Sequence, residues 1–208
     1  MKVRPRGLGH PMTTGLCGNS FTDGLRGILD KRERRVMNDP ACARAAVIVP
    51  LFNKDGSCHI LFTKRTHLVK HHKGQISFPG GVFDEEDGDL RRTALREAFE
   101  EIGLKEDDVQ IIGVLDDIVT VTGFIVTPFV GVFGYPYPFR LSQREIEELI
   151  EVPLSSLLNP ACFSASEIVD EDRKRLVYNY QCGPHSIWGA TALILKQFLG
   201  LISASGRA

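Results

Sequence analysis

The sequence lacks any long apolar run and any excess of charge of one sign. Its longest run made only of aliphatic residues, Phe and Pro covers residues 45–52, whereas a membrane-spanning helix needs about 18 apolar residues. The 25 Lys and Arg residues nearly balance the 26 Asp and Glu residues, so no overall field would attract nucleic acid or an anionic membrane. We therefore expect a soluble protein that binds neither of them.

Cysteines are few and scattered. The five residues, at positions 17, 42, 58, 162 and 182, include no C-x-x-C pair, which argues against a disulfide framework and against a zinc site. We expect free thiols in a reducing compartment, and therefore a cytoplasmic protein.

The chain shows no internal repeat and no low-complexity linker that would divide it. Its first two dozen residues carry Arg, Gly, Pro and Thr but no apolar segment of the kind found in a secretory signal. We predict a mobile N-terminal tail over residues 1–21, with a transit peptide as the alternative. A single domain is predicted over residues 22–204, and its 43% hydrophobic composition suffices for a sizeable core.

Hydrophobic periodicity predicts both strands and helices. Apolar spacing between Leu25 and Val36 indicates a short early helix, whose basic run at residues 31–35 is interpreted as a solvated face. Strands are predicted over residues 45–52, 59–63, 75–78, 109–114, 118–121 and 124–133. Further helices are predicted over residues 90–103, 142–149 and 187–201. Because strands outnumber helices without regular alternation, we predict an α/β (α+β) fold, a mixed sheet with helices packed on it.

Three carboxylates share one side of the predicted helix over residues 90–103. At 100° per residue, Glu97, Glu100 and Glu101 lie within about 100° of one another. The opposite, packed side is predicted to hold Leu95, Ala98, Phe99 and Ile102. Like charges at this spacing repel, and Mg²⁺, which prefers oxygen ligands, would compensate them. The alternative is a solvated acidic face with Arg96 as its counter-charge.

The segments around this helix differ in charge. Residues 84–108 hold eleven acidic side chains against four basic ones, whereas residues 64–73 are rich in Lys, Arg and His. A phosphorylated substrate bridged by metal ions needs both, because cations face its phosphates and carboxylates hold the metal. We interpret the histidines as part of a solvated or phosphate-facing loop rather than as metal ligands.

Residues 81–104, GVFDEEDGDLRRTALREAFEEIGL, resemble the Nudix box, G-x5-E-x7-R-E-U-x-E-E-x-G-U. Every fixed position of the second half is matched between Arg96 and Leu104. The first half is one residue longer than usual, and the acidic residues 84–87 stand near the position of the early Glu.

Residues 61–81 are similar to the signature L-L-T-x-R-[SA]-x3-R-x3-G-x3-F-P-G-G of coenzyme A pyrophosphatases, a Nudix branch that shares the lengthened box. Lys70 stands where the signature has Arg, which replaces a bidentate phosphate contact by a point charge. Residues 121–128 and 187–192 also look like that branch, so the resemblance covers roughly residues 45–200.

The resemblance implies a Nudix α/β/α sandwich and metal-dependent hydrolysis of the diphosphate of a small molecule, coenzyme A or acyl-CoA. The implied products are adenosine 3',5'-bisphosphate and (acyl-)4'-phosphopantetheine. The expected ligands of Mg²⁺ or Mn²⁺ are Glu97, Glu101 and Glu100. The expected catalytic residues are Glu97 and Arg96, the latter orienting the carboxylates, and the expected substrate-binding residues are Arg65, Lys70, Gly80 and Gly81.

Several alternatives stay open. The substrate could be another nucleoside diphosphate derivative such as ADP-ribose, NADH or a dinucleotide, or the chain could be a Nudix-fold regulatory module without turnover. The general base could be Glu97, a neighbour of a metal-bound hydroxide, or an acid on a later loop such as Glu147, Glu148 or Glu171. The aromatic residues Phe124, Phe129, Tyr135, Tyr137 and Phe139 either line a pantetheine groove or pack in the core. A homodimer also stays open.

Overall fold

Strands and helices form at most of the predicted positions. The structure, a computed structural model, describes residues 19–68, 73–170 and 173–204. The helices are α1 (Asn19–Lys31), α2 (Leu90–Ile102), α3 (Leu154–Leu158) and α4 (Gly189–Ala204). The strands are β1 (Ala43–Lys54), β2 (Ser57–Arg65), β3 (Ile76–Ser77), β4 (Gly80–Val82), β5 (Val109–Val114), β6 (Ile118–Val119), β7 (Phe124–Phe133), β8 (Ile146–Pro153), β9 (Phe163–Asp170), β10 (Arg173–Cys182) and β11 (His185–Trp188).

The main sheet is mixed, as predicted. Its central order is β3-β2-β1-β7-β5, and β4, β6 and β8 pair with β1, β7 and β2 respectively. Strands β1 and β7 run parallel, and the other pairs are antiparallel. A turn joins β1 and β2, with Asp55 and Gly56 at φ 51° and 79°, values that suit a tight hairpin turn.

Helices cover both faces of this sheet. On one face, Ala46 and Ile48 of β1 pack with Leu95 and Ala98 of α2. On the other face, the side chains of α1 and α4 join alternate residues of the same strands, such as Val49. The predicted sandwich, with a mixed sheet between helices, is therefore confirmed.

A second, three-stranded antiparallel sheet has the order β11-β10-β9. The sequence analysis missed β9 and β10, because much of this segment is exposed and lacks the apolar alternation of a half-buried strand. The predicted helix over residues 187–201 is present as α4, which begins at Gly189.

The helix predicted over residues 142–149 is wrong, because this segment leads into β8. Strand β8 pairs along β2 from His59↔Pro153 to Arg65↔Ile146, and its buried residues alternate in part with exposed ones. Adjacent charges at Glu147 and Glu148 imitate a helical surface, whereas both side chains bind Lys64 across the sheet.

The early helix ends at Lys31, the first residue of the basic run that was interpreted as its solvated face. Beyond it, exposed and half-buried residues alternate. Arg32 forms an ion pair with Asp116, and Arg34 forms one with the buried Asp117. The backbone amide of Met37 also donates to Asp117, at 2.9 Å. This segment, residues 32–37, is therefore bound to the connection between β5 and β6.

The structure also bears on two expectations about the chain, one on its cysteines and one on membrane-spanning segments. Cys58 is disulfide-bonded, so the expectation of free thiols is wrong for it, whereas Cys42, Cys162 and Cys182 are free. A pairing between distant cysteines cannot be deduced from their spacing.

In the described part of the chain, no helix is long and apolar enough to cross a membrane.

Candidate active site

Helix α2 presents the carboxylates and is fixed at both ends. Asp89 accepts a hydrogen bond from the amide of Arg92 at the N-terminus, and Gly103 adopts the left-handed conformation at the C-terminus. The predicted faces need one correction. Phe99 is 55% exposed, whereas Glu101 is only 2% exposed, so the buried face is rotated toward Glu101.

A glycine turn lies against these carboxylates. Gly81 and Gly80 pair with Ala46 and Val47 of β1, and the amide of Gly80 donates to Oε2 of Glu101 at 3.4 Å. A Cβ atom at Gly81 would overlap the carboxylate of Glu97, with Oε2 only 2.7 Å away. The structure therefore brings the predicted glycines and two predicted metal ligands together.

Arg96 binds three carboxylates, which agrees with an orienting role. Its guanidinium donates to Asp87 at 2.7 Å, to Glu97 at 2.9 Å and to Glu100 at 3.2 Å. Asp87 is buried and also accepts from the hydroxyl of Thr93. Its contact with Arg96 lowers the pKa of the Asp87 carboxyl to about 2. Asp87 thus supplies an early acidic partner in the lengthened box.

Arg65 approaches the site from β2. Its Nη1 lies 3.4 Å from Oε1 of Glu101. Burial raises the pKa of Glu101 to about 8, although Arg65 opposes this shift, and burial also raises the pKa of Glu97. The two carboxylates therefore lie where their negative charge is insufficiently compensated.

Glu145 is a site residue that the sequence analysis missed. Its carboxylate lies 3.9 Å from Nη2 of Arg65, and its charge contributes to the raised pKa of both Glu97 and Glu101. A backbone hydrogen bond from Thr66 to the Glu145 carbonyl, at 2.8 Å, fixes this position. No sequence signal identified it, because the segment was expected to be helical.

We expect Glu145→Gln to lower kcat by about 10²-fold or more, since general acid–base assistance contributes on the order of 10² to 10⁴. Steady-state kinetics at saturating metal would measure the effect. Glu147→Gln is the matched control, because Glu147 binds Lys64 instead. Equal kinetics for the two variants would exclude Glu145 from catalysis.

The other predicted residues fall into two groups. Lys70 and Glu171 lie outside the described residues. The aromatic residues mainly pack among themselves and against the core: Tyr137 and Phe139 contact Phe133, and Tyr135 stacks on Phe52. Their core alternative is therefore the one that the structure favours.

The donor set suits a hard divalent cation. The carboxylates of Glu97, Glu100 and Glu101 and the backbone of the glycine turn offer only oxygen ligands, which Mg²⁺ and Mn²⁺ prefer. No group of three or more possible ligands is already gathered at one point in residues 19–68, 73–170 and 173–204. Glu97 and Glu100 instead share Arg96, and Glu101 contacts Arg65.

Comparison with known proteins defines the class. The model of the NUDIX domain matches residues 43–169, which include the glycine turn and the whole of α2. The chain therefore belongs to the Nudix family. It is a Nudix hydrolase, and this class cleaves the diphosphate of nucleoside diphosphate derivatives.

Individual relatives support this membership. The chain is 34% identical over 185 residues to a protein named uncharacterized Nudix hydrolase NudL from Enterobacter sp. (strain 638), covering 89% of this chain and 94% of that protein. It is 35% identical to the NudL of Photorhabdus laumondii, over 74% and 81% of the two chains. A solved MutT/nudix family protein from Enterococcus faecalis superimposes with a TM-score of 0.52 at 15% identity, over 84% of this chain and 66% of that one, which supports the fold alone.

Proposed function

We propose that this Nudix hydrolase cleaves the diphosphate of coenzyme A or acyl-CoA, giving adenosine 3',5'-bisphosphate and (acyl-)4'-phosphopantetheine. The observation that carries the proposal concerns Arg65, which matches the signature of that branch. Its side chain is 24% exposed, and its Nη1 and Nη2 lie beside the carboxylates of Glu101 and Glu145. A partly exposed guanidinium beside these carboxylates is suited to donate to a phosphate oxygen of the substrate.

The proposed roles follow the geometry of the site. Glu97 and Glu101, with Glu100 next and the Gly81 carbonyl as a backbone donor, would hold Mg²⁺ or Mn²⁺. Such an ion, when bound, withdraws negative charge from the diphosphate and lowers the pKa of a bound water. Arg96 keeps Glu97 in place, and Arg65 with the glycine turn binds a phosphate. Glu145 is positioned to accept a proton from the attacking water.

Two other functions were left open by the sequence. A regulatory module without turnover is disfavoured, because Glu97, Glu100 and Glu101 are all retained on α2 beside Arg96. A different leaving group, as in ADP-ribose or NADH, would use the same carboxylates and the same Arg65. Substrate comparison therefore decides between the remaining functions.

We expect coenzyme A to be hydrolysed with a kcat/KM about 10- to 100-fold above that of dephospho-coenzyme A, since loss of a charge-assisted contact to the 3'-phosphate costs about 1.5 to 3 kcal/mol. ADP-ribose and NADH should be poorer still. Product analysis by chromatography under identical metal conditions would measure this order. Equal kcat/KM for all four compounds would contradict the proposal and leave a general diphosphate hydrolase.

A further inference from the structure

Thr66 directly follows Arg65 at the end of β2 and is buried, with only 8% of its surface exposed. A buried hydroxyl needs hydrogen-bond partners, and this one has two. It donates to the carbonyl of Arg144 at 2.9 Å, and it accepts from the amide of Leu68 at 3.2 Å. The hydroxyl is therefore held in one orientation, against the segment that leads into β8.

The main chain of Thr66 binds the next residue of the same segment. Its amide donates to the carbonyl of Glu145 at 2.8 Å. Thr66 thus holds two consecutive carbonyl groups, that of Arg144 through its side chain and that of Glu145 through its backbone. Two bonds to adjacent peptide groups fix both the position and the orientation of the segment, whereas a single bond would leave it free to rotate.

The same segment is attached to helix α2 on its other side. The amide of Ser142 donates to the carbonyl of Glu101 at 2.9 Å, and the amide of Glu145 donates to the carbonyl of Ser142 at 2.9 Å. Residues 142–145 therefore bridge the last turn of α2 and the end of β2. The bonds on the α2 side join main-chain groups, which nearly every residue offers, whereas the bond from Thr66 to Arg144 requires a hydroxyl.

A shift of register brings Thr66 and Arg65 to this bridge. The pairing of β2 with β8 changes register between Lys64 and Arg65, and such a bulge re-aims the side chains that follow it. Beyond the shift, Nη2 of Arg65 lies 3.9 Å from the carboxylate of Glu145. The direction of Arg65 and the position of Glu145 are therefore set at the same place.

The side chain of Glu145 is itself weakly held. It is 47% exposed, and its 3.9 Å separation from Arg65 is too long for a hydrogen bond. The position of this carboxylate therefore depends on its backbone, which Thr66 holds. A displacement of about 1 Å at a catalytic group is enough to lower the rate severely.

We propose that Thr66 is a positioning residue of the active site: its hydroxyl, bound to the carbonyl of Arg144, holds the backbone of Glu145 where the carboxylate can accept the proton of the attacking water. The inference rests on the role proposed above for Glu145. It does not depend on which diphosphate is the preferred substrate, because every such substrate needs an activated water.

Thr66→Val tests the role of the hydroxyl, because valine has nearly the same shape and cannot form the bond to Arg144. We expect kcat to fall about 10- to 50-fold and KM to change less than about threefold, since Arg65 would still reach the substrate. Thr66→Ser, which keeps the hydroxyl, should restore at least half of the original kcat. Thr66→Ala should lose as much kcat as Thr66→Val, and it provides the measurement if the valine variant does not fold.

Combination with Glu145→Gln separates positioning from a general loss of structure. In that background Thr66→Val should lower kcat less than about threefold, because no carboxylate remains to be positioned. The matched control is Thr191→Val. Thr191 is also 8% exposed, and its hydroxyl donates to the carbonyl of Ile76 at 3.2 Å, so its loss should lower Tm without changing kcat.

The kinetics use whichever diphosphate the enzyme cleaves fastest, so failure of the coenzyme A assignment would leave this test intact. An unchanged kcat in Thr66→Val would overturn the proposal. An equal fold loss with and without the Glu145 carboxylate would also overturn it, because the hydroxyl would then act on the structure in general. If Glu145→Gln alone left kcat unchanged, the role of Glu145 and that of Thr66 would both be refuted.

Discussion

Replacing Glu97 or Glu101 by glutamine is expected to lower kcat by about 10³ or more. Both carboxylates lie against the glycine turn, where we predict that they hold the divalent metal ion. Glutamine keeps the size of the side chain but removes its negative charge, so several kcal/mol of Lewis-acid stabilisation would be lost. Steady-state kinetics with saturating Mg²⁺ would measure the loss, and excess chelator should abolish turnover by the unmodified protein.

The matched control is Glu86→Gln, because Glu86 is exposed on the loop before α2 and its removal should change kcat less than tenfold. The free energy of unfolding of each variant separates a loss of activity caused by unfolding from one caused by the missing carboxylate. Burial disfavours the charged form of Glu101, so Glu101→Gln should not lower the free energy of unfolding at pH 8 or above. Full activity of either active-site variant, or of the metal-free protein, would contradict the assigned role.

Gly81→Ala is expected to abolish most activity while the protein stays folded, with kcat lowered by about 10²-fold or more. The added methyl group would overlap the carboxylate of Glu97, a side chain that can rotate away at little cost to the fold. A displacement of about 1 Å at a catalytic group is sufficient for a loss of this size. Kinetics together with thermal unfolding would measure both properties.

Gly80→Ala provides the contrast. Its Cβ would overlap the backbone carbonyl of Ala46 and lie 2.6 Å from Cα of Val47, and Gly80 has φ 154°. Since backbone atoms of β1 cannot move aside as a side chain can, this variant should lose stability rather than activity alone. Full activity of Gly81→Ala would contradict the prediction, because it would show that catalysis does not require the observed position of the Glu97 carboxylate.

The sequence predicted helices and strands best where residues close together in the chain determine their bounds. The bounds of α2 follow from its apolar spacing and from Gly103, and β5 and β7 have the predicted bounds. The helix prediction over residues 142–149 was wrong because the two adjacent glutamates resemble an exposed helix turn. Only tertiary pairing with β2 makes this segment a strand, and periodicity within a single segment does not reveal such pairing.

The candidate site was likewise predictable only where helix geometry within one segment determines it. The spacing of Glu97 and Glu101 follows from helix geometry, but the burial of Glu101 does not, because it depends on how α2 is rotated against the sheet. Glu145 and Arg65 are eighty residues apart in the sequence and meet only through the pairing of β2 with the start of β8. Such a contact has no signal within either segment.

The attachment of residues 32–37 to the β5–β6 connection bears on how this enzyme can be shortened for expression. A chain trimmed to the matched family segment, residues 43–169, would lose α1 and with it Leu25 and Leu29, which are buried in the core. It would also leave the buried carboxylate of Asp117 without Arg34, and it would end within the β9–β10 hairpin. Useful truncations therefore begin before Asn19 and retain α4.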